Sequence, residues 1–531
     1  MAGSHGDLND NRTNISFSSN TSNLVGITIM CGFVGTTNKA MCKTMLQKQE
    51  TRGPDGMSFM EDGDLAFGHA LLDITGAKQR QPIKTAKGNI LMFNGEMYDS
   101  REQNDTVWLG KMLDKYGISV LEWTDWHGSI AYLDKTKKNL VLIRDQFGTK
   151  PLWWGYDGKT FEFSTSCKSF LHKELETNER KFGSMGDECI WKGYHKVEPG
   201  GLLFFDYENG FKLKRMNLWN WLVYRKEPFR EDEFIQKTKE SILKVANYGN
   251  SDNKHAIFLS GGFDSTLVAS ICRESTKDIT LFTCGYTNEK GSLHEHMGFQ
   301  GESIMAKKTA ELFGRELVHV DLGRDERIAL GKTWLAGTHY AWSDHNRQAP
   351  RYKLARAAAE HGCKVVLTGD SGDELYSGYM HHDKRFNENY CKEMVKQAKK
   401  WRWFPDCIFD YSDTMAHTLF IDLLTTSEQN ILATDQTCGL FGMESRIPLL
   451  TQRYVHYNMT IPTTTRFKQL DGYALGTTKY LMREVMKDYL PDHVVNRKQK
   501  LGWSSPWDNN HPKQSRRWRD EDLELLKRLG A

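Results

Sequence analysis

Residues 260–265 read Ser-Gly-Gly-Phe-Asp-Ser, directly after a short apolar run and directly before a helical pattern. Glycines let the backbone close on an anion, while hydroxyls and helix-start N–H groups donate to it. No Gly-Lys-Ser/Thr follows, so this is not a Walker A loop. Residues 367–374, Leu-Thr-Gly-Asp-Ser-Gly-Asp-Glu, place Asp370, Asp373 and Glu374 just past a second apolar run. Hard carboxylate oxygens beside a triphosphate suit Mg2+. Residues 497–503 carry Lys498 and Lys500 beside a Gly-Trp turn. Alone this is equally a surface patch, but in this company it reads as a clamp for departing pyrophosphate. A fourth set lies in the first half: Cys31 within Met-Cys-Gly-Phe-Val-Gly, then Arg52-Gly-Pro-Asp, then Asn94-Gly95-Glu96. A thiolate is a strong nucleophile. With Met30 removed, the free α-amine of Cys31 could be its own base. Asn94 and Gly95 could donate to a tetrahedral oxyanion, although Asn-Gly is also a common hairpin turn.

These groups need elements to hold them. The second half alternates apolar strand and helix: strands at 255–259, 279–285, 317–320 and 364–367, with helices at 264–273, 303–313 and 352–361. That βαβ rhythm predicts an α/β doubly wound parallel sheet, with a mostly helical remainder. Such sheets take ligands at the carboxyl ends of their strands, where both phosphate-site motifs fall. The first half gives short strand patterns at 27–34, 90–93, 129–133, 140–144, 152–156, 160–164 and 201–205, and helices near 41–52 and 105–116. It predicts a β-rich α+β domain. Residues 1–29, rich in Asn, Ser, Asp and Gly, read as a disordered leader or a misassigned start. The expected domains are 30–215 and 216–531.

The composition excludes several other classes. With 531 residues, the chain predicts about two to four domains. A net charge of +3 gives no global field for nucleic acid or an anionic membrane. The basic runs at 399–403 and 516–519 read as solvated helix faces. The longest uncharged apolar stretch, 24–35, is shorter than the ~20 residues of a spanning helix. The 10 cysteines form no Cys-x-x-Cys pair, and no secretory signal is evident. The expectation is therefore a cytoplasmic protein, in which the Asn-x-Ser/Thr matches at Asn11, Asn14 and Asn20 are chance.

Taken together, these motifs resemble the glutamine-dependent asparagine synthetase family from about residue 30 to 506. Gly-Met-Glu-Ser-Arg-Ile-Pro-Leu-Leu at 442–450 and Lys-Tyr-Leu-Met-Arg at 479–483 belong to the resemblance. It implies a class II glutamine amidotransferase domain of N-terminal-nucleophile type, with layered antiparallel sheets, followed by an ATP-pyrophosphatase domain. Cys31 would attack glutamine, with Asn94 and Gly95 as oxyanion hole and Arg52, Glu96 and Asp105 around the amino acid. Ammonia would pass through an internal tunnel to aspartate, whose side chain is activated as an adenylate. Leu259, Cys284, Thr368 and Gly369 would contact the nucleotide through backbone. Ser260, Gly261, Gly262, Asp264 and Ser265 would hold pyrophosphate, and Asp264 and Asp373 the Mg2+. Asp370 stands where the family has a glutamate, Lys500 matches a pyrophosphate lysine, and Arg446 matches an arginine of the Arg-x-Pro segment. The resemblance implies small-molecule partners, glutamine or ammonia with aspartate; it includes no nucleic acid or membrane, and it allows a homodimer.

Four departures stand out. Thirty residues precede Cys31. Leu71 replaces an arginine that pairs the glutamine carboxylate. Ser343-Asp344-His345-Asn346 replaces the acceptor-binding Thr-Thr-Ile-Arg, with Arg347 one place late. Asp370 is one methylene shorter than the family's glutamate. The rival readings are a ligase of the same fold acting on another carboxylate, as in β-lactam synthetases and lasso-peptide cyclases, and a non-catalytic relative.

Overall fold

A computed structural model of the chain describes residues 31–497, except 50–51, 54, 178–186, 188, 207–211, 220–227, 251, 288–300, 341–347, 380–381, most of 383–413 and 467–478; beyond 497 it describes Glu524, Leu525 and Arg528. The leader, the acceptor segment 343–347, Lys498, Lys500 and the basic runs 399–403 and 516–519 lie outside the described residues.

The first half contains β1 (Gly32–Thr36), β2 (Gly56–Asp62), β3 (Leu65–Leu71), β4 (Ile83–Lys84), β5 (Ile90–Met97), β6 (Trp126–Asp134), β7 (Asn139–Arg144), β8 (Trp153–Tyr156), β9 (Phe161–Ser164), β10 (Tyr194–Lys196), β11 (Gly201–Asp206) and β12 (Lys212–Asn217). They form two antiparallel sheets, ordered β10-β8-β9-β1-β3-β2 and β12-β11-β7-β6-β5-β4. The sheets face each other: Phe33, Phe67 and Phe163 of the first pack with Met92, Leu142 and Leu203 of the second in one buried cluster. On the second sheet's other face, Phe93, Ile130 and Val141 meet Trp108, Leu109 and Leu113 of α2 (Asp105–Tyr116). The first sheet's outer face lies under α1 (Lys39–Gln47). That helix is shorter than the predicted span, since it stops before Arg52. These are the layered antiparallel sheets that the sequence predicts.

The second half begins with α3 (Glu231–Ala246) and builds a sheet from β13 (Lys254–Phe258), β14 (Ile279–Tyr286), β15 (Leu317–Leu322), β16 (Cys363–Leu367) and β17 (Glu444–Arg446). Every pairing is parallel and the order is β15-β14-β13-β16-β17. Alternation along β13 sends Ile257 into one apolar layer and Ala256 and Phe258 into the other. The helices that concern the sites are α4 (Phe263–Ile271), α5 (Gly301–Phe313), α6 (Arg324–Thr338), α7 (Ala349–Glu360), α8 (Gly372–Tyr376), α9 (Thr414–Asp422), α10 (Glu428–Gly439), α11 (Gln452–Thr460) and α12 (Tyr480–Val485). From β13 the chain runs outward to β14 and β15, then returns to the other side as β16. The gap between the ends of β13 and β16 is therefore the topological switch point. No helix among the described residues is long and apolar enough to cross a membrane.

Candidate active sites

A cleft opens at that switch point, walled by Ser260, Gly262, Asp264 and Ser265 after β13 and by Thr368, Gly369, Asp370 and Asp373 after β16. The first loop is folded on itself. Ser260 Oγ and Ser265 Oγ lie 3.0 Å apart, and the Gly262 N–H donates to Ser260 Oγ at 3.2 Å. Gly261 has φ of +74°, and a side chain there would strike Glu302 O at 2.3 Å; glycine is required on both counts. α4 starts at this loop, so its first-turn N–H groups face the cleft.

Two carboxylates bracket one cation here. Lys479 Nζ lies 2.7 Å from Asp373 Oδ1 and also contacts Asp264 Oδ2. Burial opposes that charge, but Asp264 and Asp373 outweigh it and hold the Lys479 pKa above its usual value. Lys479 has φ of +59°. A non-glycine residue in this region is strained, and such strain gathers at functional sites. Ser371 and Ser377, at +73° and +60°, belong to the same neighbourhood, where Lys479 N donates to Ser377 O at 3.3 Å. Sequence reasoning gave Lys479 no role. Its signal was available in Lys-Tyr-Leu-Met-Arg, but its partners are more than a hundred residues away. Glu302 also lines the cleft, as do Arg351, Arg483 and Arg497, to which sequence reasoning gave no role. Glu374 does too; burial and then Asp373 push its pKa up to about 8.

Asp264 and Asp373 already share a cation, and two carboxylates with substrate phosphates are a usual set for Mg2+. The donors fit the ion. Among the described residues no cluster of three or more His, Cys, Asp or Glu could hold a metal by itself. Leu259 is buried in the core, and Cys284 sits near the end of β14. Neither side chain is on the cleft wall, leaving only the backbone contacts that the resemblance implies.

A second, smaller pocket surrounds Cys31, with Gly95, Glu96, Asp105, Leu71 and Glu444 in its wall. The Leu72 N–H donates to Cys31 Sγ at 3.1 Å. Burial raises the thiol's pKa, and Glu444, Glu96 and Asp105 push the same way. Asn94 Nδ2 is buried without an acceptor among the described residues, as an oxyanion donor would be. Gly95 has φ of +152°, and a side chain there would meet His127 O at 2.0 Å. Asp105 opens α2, where the helix start favours a carboxylate. Burial nonetheless raises its pKa to about 7. No Lys or Arg is among the described residues lining this pocket, and Leu71 occupies its wall.

The side chains of Arg52 and Arg446 each reach across to the other half of the chain. Arg52 Nε donates to Cys31 O at 3.5 Å, and its guanidinium reaches Asp435 at 3.2 Å in the second half. It is not on the pocket wall. Arg446 is turned away from the nucleotide cleft: it donates to Glu444 at 2.7 Å and to Glu96 at 2.8 Å. The two buried carboxylates draw it toward the Cys31 pocket. Glu96 also accepts from Thr75 at 2.7 Å. Burial raises its pKa, Glu444 adds to the rise, and Arg446 opposes both.

The two sites share structural parts. β17 lends Glu444 to the Cys31 pocket, while Arg446 O accepts from Thr368 N at the cleft edge, 3.3 Å away. α10 does likewise. Glu428 and Asp435, seven residues apart on one face, take cations from the first half: Arg144 and Lys196 on Glu428 at 2.9 and 2.8 Å, Arg52 and Lys150 on Asp435 at 3.2 and 3.0 Å. Its neighbouring face, with Ser427 just before it, puts Asn430 and Thr434 on the cleft.

The sequence matches the asparagine synthase family over residues 244–528 and the glutamine amidotransferase domain family over residues 30–213. Among curated proteins, it is 25% identical to asparagine synthetase [glutamine-hydrolyzing] 1 of Bacillus subtilis, covering 90% of this chain and 87% of the relative. It is 24% identical to a putative asparagine synthetase of Methanocaldococcus jannaschii, covering 82% of each. A plant relative, the asparagine synthetase of Sandersonia aurantiaca, is 23% identical over 88% of this chain and 85% of its own length. With the first of these matches spanning more than half its length, the chain belongs to the asparagine synthase family.

Proposed function

We propose that the protein is a glutamine-hydrolysing asparagine synthetase, an ATP-dependent carbon–nitrogen ligase. The observation that carries this is the cleft at the switch point, where a doubly anchored Ser-Gly-Gly loop, a helix start and the Asp264–Lys479–Asp373 bridge converge. A single cation between two carboxylates beside an anion loop suits a polyphosphate and its ion. Aspartate's side-chain carboxylate would attack the α-phosphorus of ATP, releasing pyrophosphate and leaving AMP as the group that ammonia displaces. Ser260, Ser265 and the first turn of α4 would bind the departing pyrophosphate, with Lys479 as its cation. Asp264 and Asp373 would hold Mg2+, which supplies charge neutralisation on the phosphates. Asp370, fixed by Thr368 Oγ1 at 2.9 Å, would face the reacting carboxylate.

In the second pocket, Cys31 would attack the glutamine amide and expel ammonia. Asn94 and Gly95 would stabilise the oxyanion, and Asp105 would hold the amino group. The thiol needs a base, and the α-amine of Cys31 can serve only once residues 1–30 are gone. The test is product analysis. Incubation with ATP, aspartate and either glutamine or ammonium should give AMP, pyrophosphate and asparagine in equal amounts, with glutamate only when glutamine is the donor. ADP and orthophosphate as products refute the reading.

A further inference from the structure

Two thiols of the first half meet outside both sites. A 3-10 helix, Cys167–Phe170, follows β9 and buries Cys167. Cys189, 22 residues further along the chain, is equally buried, and the two Sγ atoms lie 4.0 Å apart. Backbone hydrogen bonds tie both segments. Ser169 N donates to Ser166 O at 3.1 Å around Cys167, and Lys192 N donates to Glu176 O at 2.9 Å just after Cys189. Both thiols belong to the apolar cluster in which Trp153 and Trp191 of the first half pack with Trp334 and Leu432 of the second. The nearby Lys196 reaches Glu428 of α10 at 2.8 Å.

The two sulfurs differ in character. Burial opposes a thiolate on Cys189, but Cys167, the Trp191 N–H and Lys196 outweigh it and hold the pKa below its usual value. Burial raises the Cys167 pKa, and Cys189 adds to the rise. Cys167 therefore keeps its proton and donates it to Cys189 Sγ. Cysteines without such a partner behave otherwise: burial pushes Cys272 and Cys363 up to about 12. A stabilised thiolate beside a proton-bearing thiol is the arrangement of an attacking and a resolving cysteine. A disulfide sets its sulfurs ~2.05 Å apart, so bond formation asks for side-chain rotation at both residues.

We propose that Cys167 and Cys189 form an oxidation site that closes to a reversible disulfide in response to hydrogen peroxide. Burial keeps bulky oxidants away, and peroxide is little larger than water. The Cys189 thiolate attacks one peroxide oxygen; the S–O bond forms, the O–O bond breaks and hydroxide leaves. The Cys167 sulfur then attacks the resulting sulfenic acid. The S–S bond forms, the S–O bond breaks, and the Cys167 proton leaves with the oxygen as water. Both sulfurs are oxidised and the peroxide oxygens are reduced. The bond staples the first half within the cluster it shares with α10, whatever the chemistry of the two sites.

The test uses the full chain in its native state. Hydrogen peroxide is added in slight excess, the reaction is stopped with catalase and N-ethylmaleimide, and the digested peptides are read by mass spectrometry. The expected product is a Cys167–Cys189 peptide that has lost one hydrogen from each thiol and that dithiothreitol separates. Oxidation should raise the thermal midpoint by about 5 °C or more, since the cross-link restricts the unfolded chain. In Cys167→Ala the sulfenic acid on Cys189 should persist and take up dimedone, whereas Cys167 in Cys189→Ala should stay unlabelled. Absence of the linked peptide from the parent overturns the proposal, as does a link that forms only after unfolding. Dimedone on Cys167 in Cys189→Ala overturns the assignment of the attacking thiol, and a linked protein whose midpoint does not rise overturns the staple. If a variant fails to fold, the link and the midpoint of the parent decide.

Discussion

Replacing Asp435 by Asn removes one negative charge from between two buried cations. Arg52 and Lys150 reach Asp435 from the first half at 3.2 and 3.0 Å, with side chains 5% and 1% exposed against 0% for Asp435. Solvent cannot take over from the carboxylate there. Burial opposes the Lys150 charge, but Asp435 and then Glu444 outweigh it and keep its pKa above the usual value. Breaking a buried pair by removing one partner costs about 3–5 kcal/mol. Lys150 keeps Ser445 O at 2.9 Å and the field of Glu444, so the lower end applies, about 3 kcal/mol. At roughly 2–4 °C per kcal/mol for a large domain, the thermal midpoint should fall by about 6–12 °C. Adding Lys150→Met removes one stranded charge, and the double variant should recover part of the loss. Differential scanning calorimetry on the four proteins measures both quantities. A midpoint within about 1 °C of the parent for Asp435→Asn, or strictly additive losses in the double variant, would show that these charges do not hold the halves together.

Three further outcomes follow from the two sites, and a fourth from buried histidines outside them. Cys31→Ala should abolish glutamine-dependent asparagine formation and leave the ammonium-dependent rate within about twofold; equal loss of both would remove the separate glutaminase. Leu71→Arg should lower KM for glutamine by about tenfold or more, since the pocket gains the cation it lacks, and a KM that does not move would place the glutamine carboxylate elsewhere. Lys479→Met should cut kcat about 100-fold or more, because a lost electrostatic donor of this kind costs roughly 3 kcal/mol, while Mn2+ titrated without nucleotide should bind more tightly to the freed carboxylates. Acid should destabilise the fold through His69 and His339, whose pKa burial lowers to about 4 in each case. Both rings are neutral in either state above the unfolded pKa of about 6.5. As pH falls from there to 4, only the unfolded chain gains protons, so each histidine removes on the order of 3 kcal/mol. Chemical denaturation between pH 7 and pH 4.5 should show this loss, and His69→Gln should flatten it.

The parallel sheet was legible because its inner strands are buried on both faces and read as continuous apolar runs. Val365, Val366 and Leu367 illustrate this, and the motifs at their carboxyl ends fix the switch point. β17 was not legible. Glu444, Ser445 and Arg446 are three polar residues that local pattern assigns to a loop or helix. They are buried only because Lys150, Glu96 and Thr368 come to them from elsewhere. β2 was missed for a related reason: Ser58, Glu61 and Asp62 dilute its pattern at the sheet edge. At the sites, the sequence put the right chemistry on Ser260, Asp264 and Asp373, whose neighbours in the chain declare the turn. It could not tell which way Arg446 faces, nor that Lys479 returns to bridge two acids. Those facts depend on tertiary contacts 215 and 350 residues away in the chain, Lys479 to Asp264 and Arg446 to Glu96.

Burying Glu96, Glu444, Arg446, Lys150 and Asp435 together is expensive, and a well-packed apolar contact would hold two halves as firmly. Stability alone does not account for such a choice. What these residues do share is position. Glu96 and Glu444 line the Cys31 pocket, Arg446 joins them, and Lys150 ties Asp435 to Ser445 O on the same strand. β17 spans only three residues, about 10 Å, with the Cys31 pocket touching its start and the nucleotide cleft its end. On the proposed reading, a nitrogen donor and an activated carboxylate meet across that strand. Paired charges keep the region filled and ordered while retaining polar atoms along it. On that reading, the desolvation cost goes into fixing the placement of the two sites relative to each other.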